Sequence, residues 1–275
     1  MTARSILITG CSSGIGRDAA LRLHALGWNV FAAVRDPADC AALAEAGLTA
    51  LHLDYEDTAS IDAALAQVSA LTGGQLDALF NNGAYAIPAP LEDVPTDALR
   101  TLFEANFFGW HHLTRAALPM LRASGGRLVQ CSSVLGFIPA KWRGAYVASK
   151  YALEGYTDTL RLELADTPVR VVLLQPGPIA TAFRANAIKQ FERWIDWEAS
   201  PRAAQYRDSL LDQLYKGSGG NKFELPASSV TDALLRALND RRPRARYRIT
   251  TPTHMMAVAR RVLPTRVLDW LCAKA

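Results

Sequence analysis

The feature that most constrains the fold of this chain is a regular alternation of short apolar runs with longer helical patterns. The runs are almost continuously apolar, as expected for strands that are covered on both faces. Because helical patterns separate the runs, the strands should lie parallel in one sheet with helices on both sides. The predicted strands are Ser5–Thr9, Asn29–Val34, Ala50–Leu53, Ala78–Asn81, Arg127–Cys131 and Arg170–Leu174. The predicted helices include Arg17–Leu26, Ala59–Leu71, Asp97–Arg122 and Ala145–Leu164.

The sequence therefore predicts the α/β class, with a doubly wound, Rossmann-like parallel sheet whose ligands bind beyond the carboxyl ends of the strands. The length of 275 residues fits a single domain over residues 1–275. Two additions to the sheet are expected. One is a helical substrate lid at residues 181–225, and the other is a basic amphipathic C-terminal extension at residues 253–275, which Pro264 divides into two short helices.

Composition and charge argue against several other classes of protein. Half of the residues are apolar and a fifth are charged, which is typical of a globular protein with a sizeable core. The net charge of +4 is small, and most basic residues are scattered, so a nucleic-acid binder is not expected. Neither a signal peptide nor a membrane-spanning run of about 18 apolar residues is recognisable. The four widely spaced cysteines predict reduced thiols in a cytoplasmic protein and no metal site.

A glycine-rich turn, Thr9-Gly-Cys-Ser-Ser-Gly-Ile-Gly16, follows the first predicted strand and precedes a helix. Gly10 permits the tight turn, Gly14 lets the backbone approach a ligand, and Gly16 allows close packing of helix on strand. The helix N-terminus then offers free N–H groups to a pyrophosphate. The residues of this turn expected to bind a dinucleotide are Gly10, Ser12, Ser13, Gly14, Ile15 and Gly16.

The end of the second predicted strand indicates which dinucleotide is bound. An acidic residue there would bind the ribose 2′-hydroxyl of NAD, whereas a nearby arginine accommodates a 2′-phosphate. The expected acidic position holds the apolar Val34, Arg35 follows it, and Ser13 adds a hydroxyl. The sequence therefore predicts a preference for NADP(H) over NAD(H). One alternative stays open, since Asp36 could reach the ribose or merely neutralise Arg35.

Tyr146 and Lys150 lie four residues apart in a predicted helix, so their side chains share one face. A neighbouring ammonium favours the phenolate and lowers a tyrosine pKa from its usual value of about 10. Such a pair can exchange a proton near neutral pH. The same spacing also occurs by chance on solvated helices, so its interpretation depends on the rest of the chain.

With these residues in place, the chain resembles the short-chain dehydrogenase/reductase family over most of its length. Thr9–Gly16 matches the family's Thr-Gly-x3-Gly-x-Gly turn, and Asn81–Ala84 is similar to its Asn-Asn-Ala-Gly segment with the last two residues exchanged. Pro176–Thr181 is similar to the family's Pro-Gly turn, and Asp54 lies where the family contacts the adenine ring. The resemblance implies cofactor contacts from Asp54, Asn82, Gly83, Tyr146, Lys150, Pro176, Gly177, Ile179 and Thr181.

The family's catalytic asparagine, serine, tyrosine and lysine correspond to Asn106, Ser133, Tyr146 and Lys150. Ser133 lies 13 residues before Tyr146, the family's usual interval, and Ser132 is the competing choice. The resemblance implies that Ser133 and Tyr146 bind the substrate oxygen and that Tyr146 transfers the proton. Lys150 is implied to lower the tyrosine pKa and to bind the nicotinamide ribose. Asn106 is implied to hold a water through its backbone carbonyl; the alternative is a solvent-facing or capping asparagine.

The implied activity is an NADP(H)-dependent oxidoreductase that interconverts a bulky apolar ketone or aldehyde and its alcohol. A non-catalytic NADP(H)-binding sensor is the alternative, and retention of both tyrosine and lysine argues against it. The glycine-rich turn, Val34–Asp36 and Arg246–Thr250 resemble the branch that includes 17β-hydroxysteroid and retinol dehydrogenases. The predicted substrate contacts are Leu135, Phe137, Trp142 and Phe183.

Two segments leave alternatives open. The aromatic-rich stretch from Thr181 to Phe223 ends in the glycine-rich Gly217–Gly220, and it is either a mobile cover over an apolar pocket or a helical pair packed permanently on the sheet. The basic stretch Met255–Ala275 either lies on a membrane surface or, as we favour, packs on the body or on a neighbouring subunit. Because the long helices match those that build dimer contacts in the family, a homodimer or homotetramer is expected.

Overall fold

A computed structural model describes residues 3–216 and 222–274 of the chain. In this part of the chain, seven strands form one parallel sheet in the order β3-β2-β1-β4-β5-β6-β9, and β7 and β8 form a separate parallel pair. The strands are β1 (Ser5–Thr9), β2 (Asn29–Val34), β3 (Thr49–His52), β4 (Ala78–Asn81), β5 (Arg127–Cys131), β6 (Arg170–Gln175), β7 (Ile179–Ala180), β8 (Leu225–Pro226) and β9 (Arg246–Arg248).

Helices cover both faces of the sheet. Helix α1 packs against α10 in one layer, and α3 packs against α5 in the other. The helices are α1 (Gly14–Ala25), α2 (Asp39–Glu45), α3 (Thr58–Thr72), α4 (Thr96–Phe103), α5 (Gly109–Ser124), α6 (Gly144–Glu163), α7 (Phe183–Trp194), α8 (Ala203–Gln205), α9 (Leu211–Tyr215), α10 (Ser228–Asn239), α11 (Thr251–Val262) and α12 (Thr265–Lys274). Two π-helical segments, Glu104–Phe108 and Tyr206–Leu210, join α4 to α5 and α8 to α9.

The predicted doubly wound parallel sheet is confirmed. All five residues of β1 are buried, which is why the strand residues are apolar on both faces. The strand order changes direction between β1 and β4, so the turns that follow these two strands lie on either side of a crevice at the carboxyl edge. This crevice is where the chain brings its candidate site residues together.

Several element bounds differ from the sequence prediction. Strand β3 is shifted one residue toward the N-terminus, and β6 extends to Gln175. The predicted helix Asp97–Arg122 is a continuous helical stretch that contains the π-helical segment. Helix α2 and strand β9 were not predicted. Strand β9 pairs with β6 at the sheet edge, with Leu174 opposite Tyr247.

The segment that follows β6 contributes a second apolar cluster beside the main core. Phe191, Tyr206 and Leu210 are buried there with Ile87 and Leu102 of the sheet domain. Part of the segment interpreted as a lid therefore packs on the body in this structure, and the choice between a mobile cover and a permanently packed helical pair stays open. Gly217–Gly220, the expected hinge, lies outside the described residues.

The C-terminal extension forms α11 and α12, which Pro264 separates as predicted. Leu268 and Cys272 are buried against Ile138, so one side of α12 packs on the body. Val258 and Val262 on α11 are 62% and 68% exposed. Ala275 lies outside the described residues, and no helix within them is long and apolar enough to span a membrane.

Candidate active site

The glycine-rich turn lies at the carboxyl end of β1, and a side chain would not fit at its three glycine positions. Gly10 and Gly14 have φ angles of +69° and +56°, a region that L-residues rarely adopt. A Cβ atom on Gly10 would lie 2.8 Å from Gly83 Cα, and one on Gly14 would lie 3.0 Å from Thr181 Cγ2. A Cβ atom on Gly16 would collide with the carbonyl oxygen of Gly10. The turn is therefore a tight cradle pressed against neighbouring segments.

The N-terminus of α1 faces this cradle. Ser13 precedes the helix in an extended conformation, its side chain makes no capping hydrogen bond, and the first turn has no acidic residue. The first-turn N–H groups and the positive end of the helix dipole therefore remain available to an anion. Ser12 and Ser13 are exposed, whereas Ile15 packs against the core. The residues present fit the pyrophosphate of a dinucleotide.

The segment after β4 is fixed against this cradle by hydrogen bonds. The Asn82 backbone N–H donates to Thr9 Oγ1 at 2.9 Å, and Asn82 Nδ2 donates to the Thr9 carbonyl at 3.1 Å. Trp110 Nε1 donates to the Gly83 carbonyl at 3.0 Å, and the Thr9 and Tyr55 hydroxyls are 2.7 Å apart. Sequence reasoning missed Tyr55 and Trp110, because their contacts cross between elements that are distant along the chain.

Arg35 and Asp54 lie at the ends of β2 and β3. Arg35 is exposed, and the neighbouring Asp36 carboxylate accepts a hydrogen bond from the Ala38 N–H at 3.0 Å, so it stabilises its own turn. Asp54 Oδ1 accepts from the Glu56 N–H at 3.0 Å. Among the described residues, Arg35 forms no ion pair with Asp36, which leaves the guanidinium available to a ligand.

Glu56 and Arg193 are charged residues that the sequence reasoning missed at this end of the crevice. Burial and the carboxylate of Asp54 raise the pKa of Glu56, while Arg35 and Arg193 act in the opposite direction. Arg193 belongs to α7, and its guanidinium lies over the ring of Trp194 at 4.7 Å. Sequence spacing gives no sign that this arginine and Arg35 both influence Glu56.

Tyr146 and Lys150 lie in the first two turns of α6 and are both buried, with 8% and 1% of their surface exposed. Lys150 Nζ donates to the Cys131 carbonyl at 2.8 Å and lies 4.3 Å from the centroid of the Trp110 ring. The distance from Nζ to the Tyr146 ring centroid is 5.6 Å. The structure therefore brings the predicted pair together and anchors the lysine to the end of β5.

The pKa values of this pair correct one expectation. Burial raises the pKa of Tyr146, with a smaller effect of Cys131 in the same direction and a hydrogen bond with Ser133 in the opposite one. Burial lowers the pKa of Lys150 to about 8, against the effects of Cys131 and Glu154. The sequence predicted a tyrosine pKa lowered by the lysine. Desolvation dominates instead, because the ammonium is bonded to a backbone carbonyl and the phenol is enclosed.

Ser133, and not Ser132, faces Tyr146. The Ser133 side chain is close enough to Tyr146 to lower the pKa of the phenol, against the larger effect of burial, and its Oγ accepts from the Leu135 N–H at 3.1 Å. The hydroxyl of Ser132 points the other way, since a Cβ atom on Gly136 would lie 2.6 Å from Ser132 Oγ and 2.9 Å from Glu154 Cγ. Of the two adjacent serines, Ser133 is therefore the one whose side chain approaches Tyr146, and its catalytic role stays a prediction.

Asn106 lies in the π-helical segment Glu104–Phe108 and is fully buried. Its Oδ1 accepts from the Tyr85 N–H at 3.1 Å, and its Nδ2 donates to the Tyr85 carbonyl at 2.9 Å and to Ser149 Oγ at 3.2 Å. The alternative of a solvent-facing or capping asparagine is therefore wrong. The side chain ties the segment after β4 to α6, next to Lys150.

The four predicted substrate contacts lie in three different parts of the structure. Phe183 lies against Tyr146 with ring centroids 5.3 Å apart, and Leu135 packs in the same small apolar cluster as Tyr146. Trp142 packs against the second apolar cluster, and its φ of +58° is unusual for a non-glycine residue. Phe137 packs instead against the cluster of α12, away from the one that holds Tyr146. Ala187 of α7, which sequence reasoning missed, is buried beside Tyr146.

The turn from Pro176 to Thr181 joins the sheet to the segment after β6. The Pro176 carbonyl accepts from the Val134 N–H at 2.8 Å, and a Cβ atom on Gly177 would collide with the Thr250 hydroxyl. Ile179 lies in β7, opposite Leu225. Since Thr181 touches Gly14, this turn reaches across the crevice to the cradle.

The chain is similar to a known family in sequence and to a solved structure in fold. The sequence model of the short chain dehydrogenase family matches residues 4–192. A short-chain dehydrogenase from Streptomyces avermitilis has a similar structure, with a TM-score of 0.77 and 28% identity, covering 95% of this chain and 96% of that one.

The sequence is also similar to three proteins whose described activities differ, and it covers most of the length of each. The uncharacterized oxidoreductase YbbO of Escherichia coli K12 is 37% identical over 97% of this chain and 93% of its own length. The NADPH-dependent 3-dehydrocapnine reductase of Ornithobacterium rhinotracheale is 32% identical over 97% of this chain and 95% of its own. Retinol dehydrogenase 8 of Homo sapiens is 32% identical over 87% of this chain and 79% of its own.

Proposed function

The chain belongs to the short-chain dehydrogenase family and is an NAD(P)-dependent oxidoreductase, and on that basis we propose that it reduces a bulky apolar ketone or aldehyde with NADPH. The observation that carries the proposal is the buried arrangement of Ser133, Tyr146 and Lys150 beside the glycine cradle. The bound nicotinamide supplies the hydride. The residues of the chain orient the substrate and move the proton.

Tyr146 is the general acid in this proposal. Burial raises the pKa of its phenol, which keeps the proton in place at neutral pH until the substrate oxygen develops negative charge. The Ser133 side chain lies near the phenol and lowers its pKa, so we assign to its hydroxyl the stabilisation of the same oxygen. The proton then passes from the phenol to the alkoxide oxygen, and the product is the alcohol.

Lys150 and Asn106 support the proton transfer. An ammonium has three N–H donors, and one of those of Lys150 donates to the Cys131 carbonyl. The other two remain for the nicotinamide ribose and for stabilising the phenolate after it has lost its proton. Asn106 holds the segment after β4 against α6, and we assign to its backbone carbonyl a water that returns a proton from solvent.

The preference for NADPH is proposed from charge at the end of β2. Arg35 is exposed there, Asp36 is occupied by its own turn, and Ser13 adds a hydroxyl across the cradle. Arg193 adds a second positive charge on the same side. A relative named as an NADPH-dependent reductase supports the assignment. Asp54, Asn82, Gly83, Pro176, Gly177, Ile179 and Thr181 are proposed as further cofactor contacts.

The substrate class is proposed from the apolar surfaces that meet at Tyr146. Leu135, Ala187 and Phe183 pack near the ring of Tyr146, so the side chains around it are apolar or aromatic. The likeness to a retinol dehydrogenase supports a bulky lipophilic substrate. We propose that residues 181–225 cover this substrate, with α7 as the part in contact.

We also propose that the chain acts as a homodimer or homotetramer through α5 and α6. Leu162 on α6 is 73% exposed and Phe108 beside α5 is 49% exposed, which leaves apolar surface on these helices for a second copy. Light scattering of the purified protein tests this assembly, and a monomer at micromolar concentration would contradict it.

A panel of carbonyl compounds tests the proposed function. NADPH consumption is followed by absorbance with long-chain ketones, retinoid and steroid carbonyls, and small polar aldehydes, and each is repeated with NADH. The proposal predicts turnover on bulky apolar members with NADPH as the better cofactor. Turnover restricted to small polar carbonyls, or no turnover on any member, would contradict it.

A further inference from the structure

A third ionisable residue shares the face of α6 that carries Tyr146 and Lys150. Glu154 lies four residues after Lys150, and residues at this spacing are neighbours on a helix surface. Glu154 is only 8% exposed. Burial of a carboxylate costs free energy unless the group is paired and hydrogen-bonded. The contacts of Glu154 therefore show how its burial next to Lys150 is stabilised.

Both carboxylate oxygens of Glu154 accept hydrogen bonds from residues of the sheet edge. Its Oε1 accepts from Gln175 Nε2 at 2.9 Å, and its Oε2 accepts from Arg246 Nε at 3.2 Å. Arg246 also bonds Asp158 one turn further along α6, at 2.5 Å. Gly136 leaves the space that the methylene chain of Glu154 occupies, since a Cβ atom there would lie 2.9 Å from Glu154 Cγ.

The ammonium of Lys150 has polar and aromatic neighbours but no carboxylate in direct contact among the described residues. None of the ion pairs within residues 3–216 and 222–274 includes Lys150. Its ammonium meets a backbone carbonyl and the ring of Trp110 on α5. The titratable or charged groups that face Lys150 or Glu154 from all packed elements are Cys131 on β5, Tyr146 on α6, and Arg246 and Arg248 on β9.

We propose that Glu154 is a positioning residue for proton transfer, which acts through Lys150 by keeping the buried ammonium protonated. The inference rests on the proposed function, because the proton transfer proposed there uses the charge of Lys150. Arg246 and Gln175 fix the carboxylate, so its negative charge stays one helical turn from the lysine. Burial lowers the pKa of Lys150 to about 8, and Cys131 and, to a smaller extent, Glu154 act in the opposite direction.

The expected size of the effect follows from Coulomb's law. For charges about 6–8 Å apart and an effective dielectric constant of about 20, a full carboxylate charge shifts the lysine pKa by roughly 1.5–2 units. Arg246 partly neutralises that charge, so about one unit is expected. Removal of the carboxylate should therefore lower the pKa of Lys150 by about one unit, and should move the basic limb of the reduction rate to lower pH by the same amount.

Lysine side-chain NMR tests the proposal without any substrate. The full-length protein is labelled at lysine Cε and Nζ, the Lys150 signal is assigned by its absence in Lys150→Arg, and its pKa is measured in Glu154→Gln. Asp158→Asn is the matched control, because Asp158 also bonds Arg246 but lies two turns from Lys150. Glu154→Asp tests whether retained charge restores the wild-type value. The pH profile of kcat/KM for reduction is measured on the same variants.

The predicted result is a Lys150 pKa about one unit lower in Glu154→Gln, with Asp158→Asn and Glu154→Asp close to the wild type. An unchanged Lys150 pKa in Glu154→Gln, or an equal fall in Asp158→Asn, would overturn the proposal. If Glu154→Gln does not fold, Glu154→Met replaces it. Failure of both neutral variants to fold while Glu154→Asp folds would assign the carboxylate to the fold alone and overturn the proposal as well.

The two proposals fail separately in this experiment. A shifted Lys150 pKa in a protein that turns over no carbonyl contradicts the proposed function and supports the electrostatic coupling. Normal turnover with no shift in the Lys150 pKa contradicts the role of Glu154 and leaves the proposed function in place.

Discussion

The ammonium of Lys150 donates a 2.8 Å hydrogen bond to the carbonyl of Cys131, so the lysine is held by the end of β5 and not by Tyr146. Strand β5 also leads to Ser133, whose side chain lowers the pKa of the phenol of Tyr146. One strand end therefore positions both groups that we propose to act with Tyr146. Substitutions on either side of this strand end should separate residues that act on the substrate from residues that only support the fold.

Ser133→Ala should lower kcat for carbonyl reduction by roughly 10²-fold, because it removes a donor to the developing oxyanion. Ser132→Ala is the matched control, since its hydroxyl points toward Glu154 and away from Tyr146. Steady-state kinetics of the two variants decide between the adjacent serines. Equal losses of kcat would show that the site depends on the strand end as a whole.

Gly16→Ala should weaken NADPH binding by more than tenfold, because the added Cβ collides with the Gly10 carbonyl and moves the cradle. Gly155→Ala is the control: Gly155 lies within α6, and a Cβ atom there meets nothing within 4 Å. That substitution should stabilise the protein by about 0.5–1 kcal/mol, since alanine is the better helix former. Calorimetric titration with NADPH and thermal unfolding of both variants provide the comparison.

Arg35→Ala should raise the Kd for NADPH by roughly 10- to 100-fold and leave the Kd for NADH nearly unchanged, because a charge-assisted hydrogen bond contributes about 1.5–3 kcal/mol. Asp36→Asn should change neither value, since asparagine can still accept the hydrogen bond from Ala38. Titration of each variant with both cofactors measures the effect. A parallel loss of NADH affinity would contradict the assignment of Arg35 to a 2′-phosphate.

Lys150 should make the stability of the protein depend on pH. Its pKa is lowered to about 8 in the folded protein from 10.5, so the unfolded chain binds the proton more strongly and stability should rise between these pH values. The gain from pH 8 to pH 9.5 should be about 1.6 kcal/mol relative to Lys150→Met, because the full slope of about 1.36 kcal/mol per pH unit is reached only between the two pKa values. Urea unfolding of both proteins measures it. Parallel pH curves for the two proteins would contradict a depressed lysine pKa.

The sequence was informative wherever one local pattern determines one element. The buried strands were recognisable because both faces are apolar, and the glycine turn because φ angles such as those of Gly10 and Gly14 favour glycine. The helix break at Pro264 was equally local. The candidate site was predictable to the extent that a family motif occupies consecutive residues.

The remainder depends on contacts between distant parts of the chain. Arg246–Arg248 has charged residues on either side of one tyrosine, and it becomes a strand because the edge of β6 is open to pairing. The lysine anchor at Cys131 and the tie from Asn106 to Tyr85 join elements that the sequence does not order in space. The net pKa of Tyr146 depends on burial, which spacing along a helix does not report.

The most direct measurement of the central claim is turnover and NADPH affinity in Tyr146→Phe, with the best carbonyl compound of the panel. Tyr156→Phe is the control, because Tyr156 lies on the same helix and its hydroxyl bonds His111 instead of facing Ser133. The account predicts a 10²- to 10⁴-fold loss of kcat in Tyr146→Phe, an NADPH Kd close to the wild-type value, and unchanged kinetics in Tyr156→Phe. A Tyr146→Phe variant that retains most of its turnover would contradict the account.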